Sequence, residues 1–174
     1  KEYIPFEHRL VRYNHPHGFL SSANQFPVNR TTYPYYVYSH RFEHYRNRRV
    51  NDRLITMQNI EPEDLMSLQN DNFNYIASEI LPYLLSQLDT LSLNEDQNKF
   101  FDELQNWDYF NHPNLKAPTH FELWSDILWD ELWDEFDTMS FAVNKPDIYT
   151  TSQLIISDSL VRFSDRLSTP EKET

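Results

Sequence analysis

The chain of 174 residues contains no cysteine and only one glycine, and these two shortages limit what it can be. Without cysteine it cannot form a disulfide, bind zinc through thiolates or use a cysteine nucleophile. The sequence also contains no run of about 18 consecutive apolar residues, so it predicts no membrane-spanning helix. The first residues lack the basic and then apolar pattern of a secretory signal peptide.

The composition is that of a folded chain. Hydrophobic residues make up 39% and aromatic residues 16% of the sequence, whereas disordered segments are poor in Phe, Tyr and Trp. This length suffices for one domain with a core of ordinary size. Because the chain starts at Lys1 and ends in the polar stretch STPEKET, we expect it to be a segment of a longer protein.

Charge is distributed unevenly along the chain. The net charge of -12 argues against a nucleic-acid partner. Residues 1–54 nevertheless carry nine Lys and Arg against four Asp and Glu, a net charge of +5, while residues 55–174 carry a net charge of -17. Two interpretations stay open: the basic segment packs on its own acidic body, or it faces other parts of a parent protein.

The spacing of apolar residues from Glu61 onward predicts helices separated by loops. Pro62, followed by two acidic residues, marks a helix start, and Pro82 should kink or divide the helix that follows. Further helices are predicted from the N-cap residue Asn94, from about 118 to 136 and from about 151 to 167, with one earlier helix within 41–58. The residues predicted to face the core include Leu65, Leu68, Ile76, Ile80, Leu84 and Leu88 in the first of these helices, and Phe121, Trp124, Ile127, Leu128 and Leu132 in the helix near 118–136.

The sequence before residue 40 is different, since it is rich in Pro, Tyr, Asn and His and predicts extended chain. Residues 18–23 are predicted to form a short strand, which would need a neighbouring strand to pair its backbone groups. The expected fold class is therefore mainly α. Residues 1–40 form an extended strand and loop segment in this interpretation, and residues 41–174 form a helical subdomain.

Histidines and carboxylates are numerous, but their spacing matches no known metal-binding motif. Four acidic residues at four-residue steps form a ridge along one predicted helix, which we call the acidic ridge: Glu122, Asp126, Asp130 and Asp134. Like charges at this spacing repel each other, so the basic N-terminal segment, a cation, or water and salt must offset them, and a solvated face is favoured. The nearby Trp124, Trp129 and Trp133 are predicted to be packing anchors.

Asn24 is the candidate for chemistry in the N-terminal segment. It follows the predicted strand and precedes a loop that contains Pro27 and Pro34, so its side-chain N–H₂ group can be held in a fixed direction. Such a donor can stabilise a developing oxyanion. From the residues alone, a turn-forming asparagine is the favoured interpretation.

The stretch YIPFEHRLVRYNHPHGFLSSANQFPVNRTTYPYY resembles part of the penicillin acylase family of N-terminal nucleophile amidohydrolases. Further motifs follow in the family's order, so the resemblance covers nearly the whole chain. These motifs are YRNRRVNDRL, EPEDLMSLQNDNFNYIASEILPYLLSQL, the WD pair at Trp107 and HFELWSDILWDELWDEF. The resemblance implies a piece from the middle of the large chain of an αββα hydrolase. The piece would be a mainly α subdomain preceded by a short β and loop segment.

The resemblance also implies roles for particular residues. The family's oxyanion-hole asparagine corresponds to Asn24. An arginine that helps to order the site corresponds to Arg49, although the adjacent Arg48 leaves the register open by one residue. Gly18 would let the chain turn into a strand pressed against its neighbours. The family nucleophile is a serine at the N-terminus of the processed large chain, with its own α-amine as base, so we expect these residues alone to be inactive.

The resemblance implies partners and a location as well. The partners would be the rest of the parent acylase and a small-molecule N-acyl substrate, such as a β-lactam, an acyl-homoserine lactone or a cyclic lipopeptide. The location would be periplasmic or secreted. No cofactor is expected; calcium is possible in the parent protein, but the stretch YPYYVYSHRF lacks the family's calcium-binding aspartate. The alternative is a helical protein-binding module without a catalytic parent.

Overall fold

The computed structural model describes residues 3–29, 31–37 and 44–157, with the backbone alone at residues 135 and 138. The described residues are mainly helical, which confirms the predicted fold class. Their only β pairing is an isolated bridge between Phe73 and Phe110. Two short 3₁₀ helices span Phe6–His8 and Asp134–Thr138. The α-helices are α1 (Tyr45–Thr56), α2 (Pro62–Gln69), α3 (Tyr75–Ser86), α4 (Glu95–Gln105), α5 (Ala117–Leu132) and α6 (Ile148–Ile156).

Side-chain caps fix the starts of α4 and α6. At α4 the predicted N-cap Asn94 accepts a hydrogen bond from the backbone N–H of Gln97, and the Gln97 side chain accepts one from the backbone N–H of Asn94, both at 2.9 Å. At α6 the Asp147 side chain accepts the backbone N–H of Thr150 at 2.7 Å. This cap starts α6 three residues before the predicted position, and the predicted end near 167 lies outside the described residues.

The helical run predicted after Glu61 is interrupted at residues 70–74, between α2 and α3, and the predicted alternative of a division at Pro82 is wrong. Asn74 caps α3 by accepting the backbone N–H of Ala77 at 3.0 Å, which starts a new helix. The new helix continues through Pro82 to residue 86. Ile80 and Leu84 are buried on either side of the proline, so packing holds the helix despite the missing N–H donor. Leu65, at 49% exposure, does not belong to the buried stripe.

The chain divides into two compact units, residues 1–71 and residues 72–174. The core of the second unit lies where α3 contacts α4 and α6, and where α4 contacts α5. The predicted inward position of Ile127 is wrong: its side chain is 63% exposed, because Phe121, Ser125 and Leu132 define the buried side of α5. The buried apolar residues are Ala77, Ile80, Leu81, Leu84, Leu104, Trp107, Ala117, Phe121, Leu132, Trp133 and Ile155.

The first unit contains α1, α2 and the N-terminal loop. The predicted boundary between a loop segment and a helical subdomain, at residue 40, falls among residues 38–43. These residues lie outside the described ranges, so that boundary stays a prediction.

The strand predicted at residues 18–23 is wrong, since these residues form no β pairing. Instead, the Gln25 side chain forms hydrogen bonds with backbone groups of this segment that a neighbouring strand would otherwise pair. The Gln25 side chain accepts the backbone N–H of Ala23 at 2.7 Å and donates to the carbonyl of Ser21 at 3.1 Å. The segment is therefore a loop stabilised by its own side chains.

Gly18 is needed for its backbone conformation rather than for close packing. Its φ is +77°, and a Cβ atom built at this position meets no atom within 4 Å. Its N–H donates to the carbonyl of His15 at 2.9 Å and closes a turn. The predicted role in a strand pressed against its neighbours is therefore corrected to that of a turn residue with positive φ.

Replacing Gly18 by alanine is expected to lower the free energy of unfolding by about 1 kcal/mol, because an L side chain is strained at positive φ. Chemical denaturation of the variant measures the change. Gly18→Asn is the matched control, since asparagine tolerates this conformation better and should cost less. Equal stability of Gly18→Ala and the unchanged protein would contradict the interpretation.

Candidate active site

Asn24 occupies a special backbone conformation in the N-terminal loop. Its φ is +58°, in the left-handed region that asparagine adopts more readily than most residues. The hydrogen bonds of Gln25 to Ala23 and Ser21 enclose this position from both sides. Residues held in such sparsely populated conformations concentrate at functional sites. The turn, rather than a strand end, therefore sets the direction of the Asn24 side chain.

A single strong hydrogen bond orients the amide group of Asn24. Nη2 of Arg46 donates to Oδ1 of Asn24 at 2.7 Å. Because the guanidinium has only donors, it binds the oxygen and thereby fixes Nδ2 on the other side of the amide. Asn24 is exposed, so Nδ2 is presented at the surface of the first unit as a donor. The amide of Asn24 therefore has an oriented N–H₂ group that is able to donate hydrogen bonds.

A second set of hydrogen bonds ties the same loop to α1. Oγ of Ser21 donates to Oδ1 of Asn51 at 2.9 Å, and Nδ2 of Asn47 lies 3.4 Å from Oγ of Ser21. Nδ2 of Asn51 donates to the carbonyl oxygen of Asn47 at 2.7 Å and to its Oδ1 at 3.0 Å. Asn47 and Asn51 are one helical turn apart and so share a face of α1. The helix therefore holds the loop both at Ser21 and at Asn24.

The structure pairs Arg49 with Asp71 rather than with Asn24. Nε of Arg49 donates to Oδ1 of Asp71 at 3.0 Å, and Nη2 donates to Oδ2 at 2.8 Å, in a bidentate ion pair. The Arg49 and Asp71 side chains are 20% and 10% exposed. This pair ties α1 to the residue that ends the first unit. The site-ordering role implied for Arg49 stays a prediction, while Arg46 is the arginine that contacts Asn24.

Arg46 was missed by the sequence interpretation, which took its arginine from the family pattern alone. The sequence offered a local signal only for Asn47 and Asn51, which are four residues apart on α1, and none for Arg46. That spacing places the residues near one another on the helix, but it does not show that they meet a loop more than 20 residues earlier.

The acidic ridge has partners within the second unit. Nζ of Lys145 lies 3.1 Å from Oδ2 of Asp137 and 3.6 Å from Oδ1 of Asp130. The hydrogen bond to Asp137 raises the pKa of Lys145, and the charge of Asp130 adds to this effect. Oε1 of Glu122 accepts a hydrogen bond from Nδ2 of Asn74 at 3.2 Å. The Asp130 side chain is 83% exposed, so water and one lysine face this part of the ridge.

The tryptophans beside the ridge are packing residues. Trp133 is 1% exposed and belongs to the core, and Trp124 and Trp129 are partly buried against it. Nε1 of Trp133 donates to Oγ1 of Thr151 at 3.0 Å, which links the end of α5 to α6. The prediction that these residues are packing anchors is confirmed.

The described residues contain no cluster that fits the calcium ion raised by the family resemblance. In the described ranges, no three or more His, Asp or Glu side chains come together in a group that could hold a metal ion. The stretch YPYYVYSHRF, at residues 33–42, contains no carboxylate. No step of the chemistry is therefore assigned to calcium.

Among the helices of the described residues, none is long and apolar enough to cross a bilayer.

Comparison with known proteins bears on the whole chain. The family model described as penicillin amidase matches residues 1–174. The chain belongs to the penicillin amidase family. Neither a curated protein nor a solved structure matched it. The resemblance predicted from the sequence motifs is thus confirmed, and at the level of the family the chain is that of an acylase-like amidohydrolase.

Family membership also gives a context for the geometry around Asn24. An amidohydrolase that passes through a tetrahedral intermediate needs a hydrogen-bond donor for the oxyanion. In this penicillin amidase family member, the described residues of the first unit present an oriented side-chain amide at Asn24, fixed by Arg46. The two predicted site residues, Asn24 and Arg49, thus have different partners in the first unit.

Proposed function

We propose that this chain is part of an enzyme that hydrolyses the amide bond of a linear N-acyl compound, and that Asn24 supplies one donor of its oxyanion hole. The observation that carries the proposal is the hydrogen bond from Arg46 to Oδ1 of Asn24, at 2.7 Å. It directs Nδ2, which is the donor, away from the guanidinium. The positive φ of Asn24 supports the same role.

In the proposed reaction, a serine at the N-terminus of the parent large chain attacks the amide carbonyl, and its α-amine accepts the proton. The carbonyl oxygen becomes an oxyanion and receives the N–H of Asn24. The carbon–nitrogen bond then breaks, the leaving amine takes the proton, and an acyl-enzyme remains. Water adds to the acyl-enzyme and releases a carboxylic acid and the free serine.

The proposal includes three further expectations. The residues described do not act alone, because the nucleophile and the second oxyanion donor belong to the rest of the parent acylase. The substrate class comprises acylated β-lactams, acyl-homoserine lactones and related N-acyl compounds. The location is periplasmic or secreted. The family match favours this proposal over a non-catalytic helical binding module.

The proposed function is tested by assaying the full-length protein against N-acyl amides that release a chromogenic amine, with acyl groups from acetyl to aryl and long alkyl chains. We expect turnover of at least one member. We also expect an acylated serine, detected by mass spectrometry after rapid acid quenching. The proposal would be contradicted if the folded and processed protein released amine from none of these N-acyl amides and carried no acyl group on its serine.

Replacing Arg46 by methionine is expected to lower kcat about tenfold with little change in KM. The variant keeps the aliphatic bulk but loses the charge-assisted bond that orients Asn24, and about 1.4 kcal/mol corresponds to a factor of ten. Steady-state kinetics of the full-length protein measure this effect. Arg53→Met on the same helix is the matched control and should keep the original kcat. An unchanged kcat in Arg46→Met would show that the amide does not need this arginine.

A further inference from the structure

The first unit contains a cavity of about 540 Å³ that is separate from the Asn24 amide. Its walls come from residues of the N-terminal loop, between Leu10 and Pro27, and from Asn47 and Asn51 of α1. The volume falls within the range of about 300–1,000 Å³ that is usual for small-molecule sites. The cavity is lined without Asp or Glu, although the chain contains 27 of these residues. This composition favours an anionic over a cationic ligand.

Three residues of the cavity lining carry hydrogen-bond donors. Arg12, His15 and His17 all line it. Among the described residues, the Arg12 guanidinium donates one hydrogen bond, to the carbonyl of Pro27, at a long distance of 3.4 Å. A guanidinium has five N–H donors, so others remain on Arg12 for a ligand. The rings of His15 and His17 lie edge to face at 4.8 Å, held by the turn that Gly18 closes. The free donors of Arg12 suit an anionic group.

Aromatic and aliphatic residues make up another part of the cavity lining. Phe19, Leu20 and Phe26 also line the cavity, and Phe19 and Phe26 are partly buried. The ring of Phe19 lies 6.2 Å from that of His17, so apolar surface begins next to the donors. Ser21 and Asn51, which are bonded to each other at 2.9 Å, form a rigid polar patch in the same lining. A ligand with an apolar body and one anionic end matches this arrangement.

We propose that the cavity binds a carboxylate that carries an aryl or alkyl group. Arg12 binds the carboxylate by charge-assisted hydrogen bonds, for which the planar guanidinium is suited, and Phe19 and Phe26 contact the apolar group. Hydrolysis of an N-acyl amide releases a compound of this kind. The assignment of the acid product as the natural occupant rests on the proposed function, whereas the binding itself rests on the lining of the cavity.

The test is isothermal titration calorimetry of the full-length protein with 3-phenylpropionate, its neutral analogue 3-phenylpropionamide, and propionate, which lacks the ring. We expect saturable binding of 3-phenylpropionate, at least tenfold tighter than binding of either comparison compound. Arg12→Gln should weaken binding about tenfold, Arg12→Lys should weaken it less, and Arg9→Gln, outside the cavity lining, should not change it. Equal affinity for acid and amide, or unchanged binding in Arg12→Gln, would overturn the proposal.

The two proposals can fail separately. Asn24→Ala should bind 3-phenylpropionate as tightly as the unchanged protein, because Asn24 does not line the cavity. If that variant binds the acid but keeps full amidase activity, the oxyanion role of Asn24 alone is rejected, because the enzyme still releases the acid product. If the variant loses activity while the unchanged protein does not bind the acid, the cavity proposal alone is rejected.

Should Arg12→Gln fail to fold, Phe26→Ser provides a second test. It removes an apolar residue of the cavity lining and should weaken binding of 3-phenylpropionate.

Discussion

Asn24→Ala is expected to lower kcat of the full-length protein about 100-fold to 1,000-fold, the loss typical of removing one oxyanion donor. This corresponds to roughly 3–4 kcal/mol of lost stabilisation of the transition state. The variant loses Nδ2, which the bond from Arg46 to Oδ1 orients, and keeps the rest of the loop contacts made by Gln25. Steady-state kinetics with a chromogenic N-acyl amide measure the change. Fold and self-processing should stay largely intact.

A second variant separates the donor from the backbone at this position. Asn24→Gly also removes the amide, but glycine adopts the observed φ of +58° without strain. Both variants should therefore lose kcat to a similar extent, while Asn24→Gly should be the more stable of the two. Asn29→Ala, at another exposed asparagine of the same loop, is the control and should leave kcat unchanged. Near-normal turnover in Asn24→Gly would reject the oxyanion assignment.

Trp133→Ala is expected to destabilise the packing of α6 within the second unit by about 3–5 kcal/mol, as is usual when a buried aromatic side chain is truncated. Trp133 is 1% exposed, and its Nε1 donates to Oγ1 of Thr151, whose own hydroxyl donates to the carbonyl of Asp147. The change removes both apolar contact and this link. Hydrogen–deuterium exchange of peptides covering α5 and α6 measures the local effect, as faster exchange of normally protected amides.

Two matched variants divide the effect into its parts. Trp133→Phe keeps most of the aromatic contact but removes the indole N–H, so it should cost about 1–2 kcal/mol. Leu123→Ala changes an exposed residue of α5 and should leave exchange unchanged, since its side chain is 58% exposed. If the amides of α6 are as well protected from exchange in Trp133→Ala as in the unchanged protein, the indole does not anchor this helix.

The amino-acid sequence by itself predicted the features that depend on local pattern. The order of motifs identified the family, and the apolar spacing predicted a mainly α chain. The start of α4 was predictable because Asn94 and Gln97 bond to backbone groups only three residues away. The start of α3 at Asn74 was hidden, because apolar spacing continued across the break and Pro82 was the more conspicuous signal. Packing of Ile80 and Leu84 kept the helix continuous there.

Only the tertiary structure decided how the candidate site is assembled. The sequence indicated Asn24, but the contact with Arg46 joins residues 22 positions apart, and Arg49 is paired with Asp71 across an equal separation. Periodicity tells which side of a helix is buried, but it does not tell which loop that helix meets. The predicted strand failed for the same reason, since a strand requires a partner from elsewhere in the chain, and the side chain of Gln25 bonded the local backbone instead.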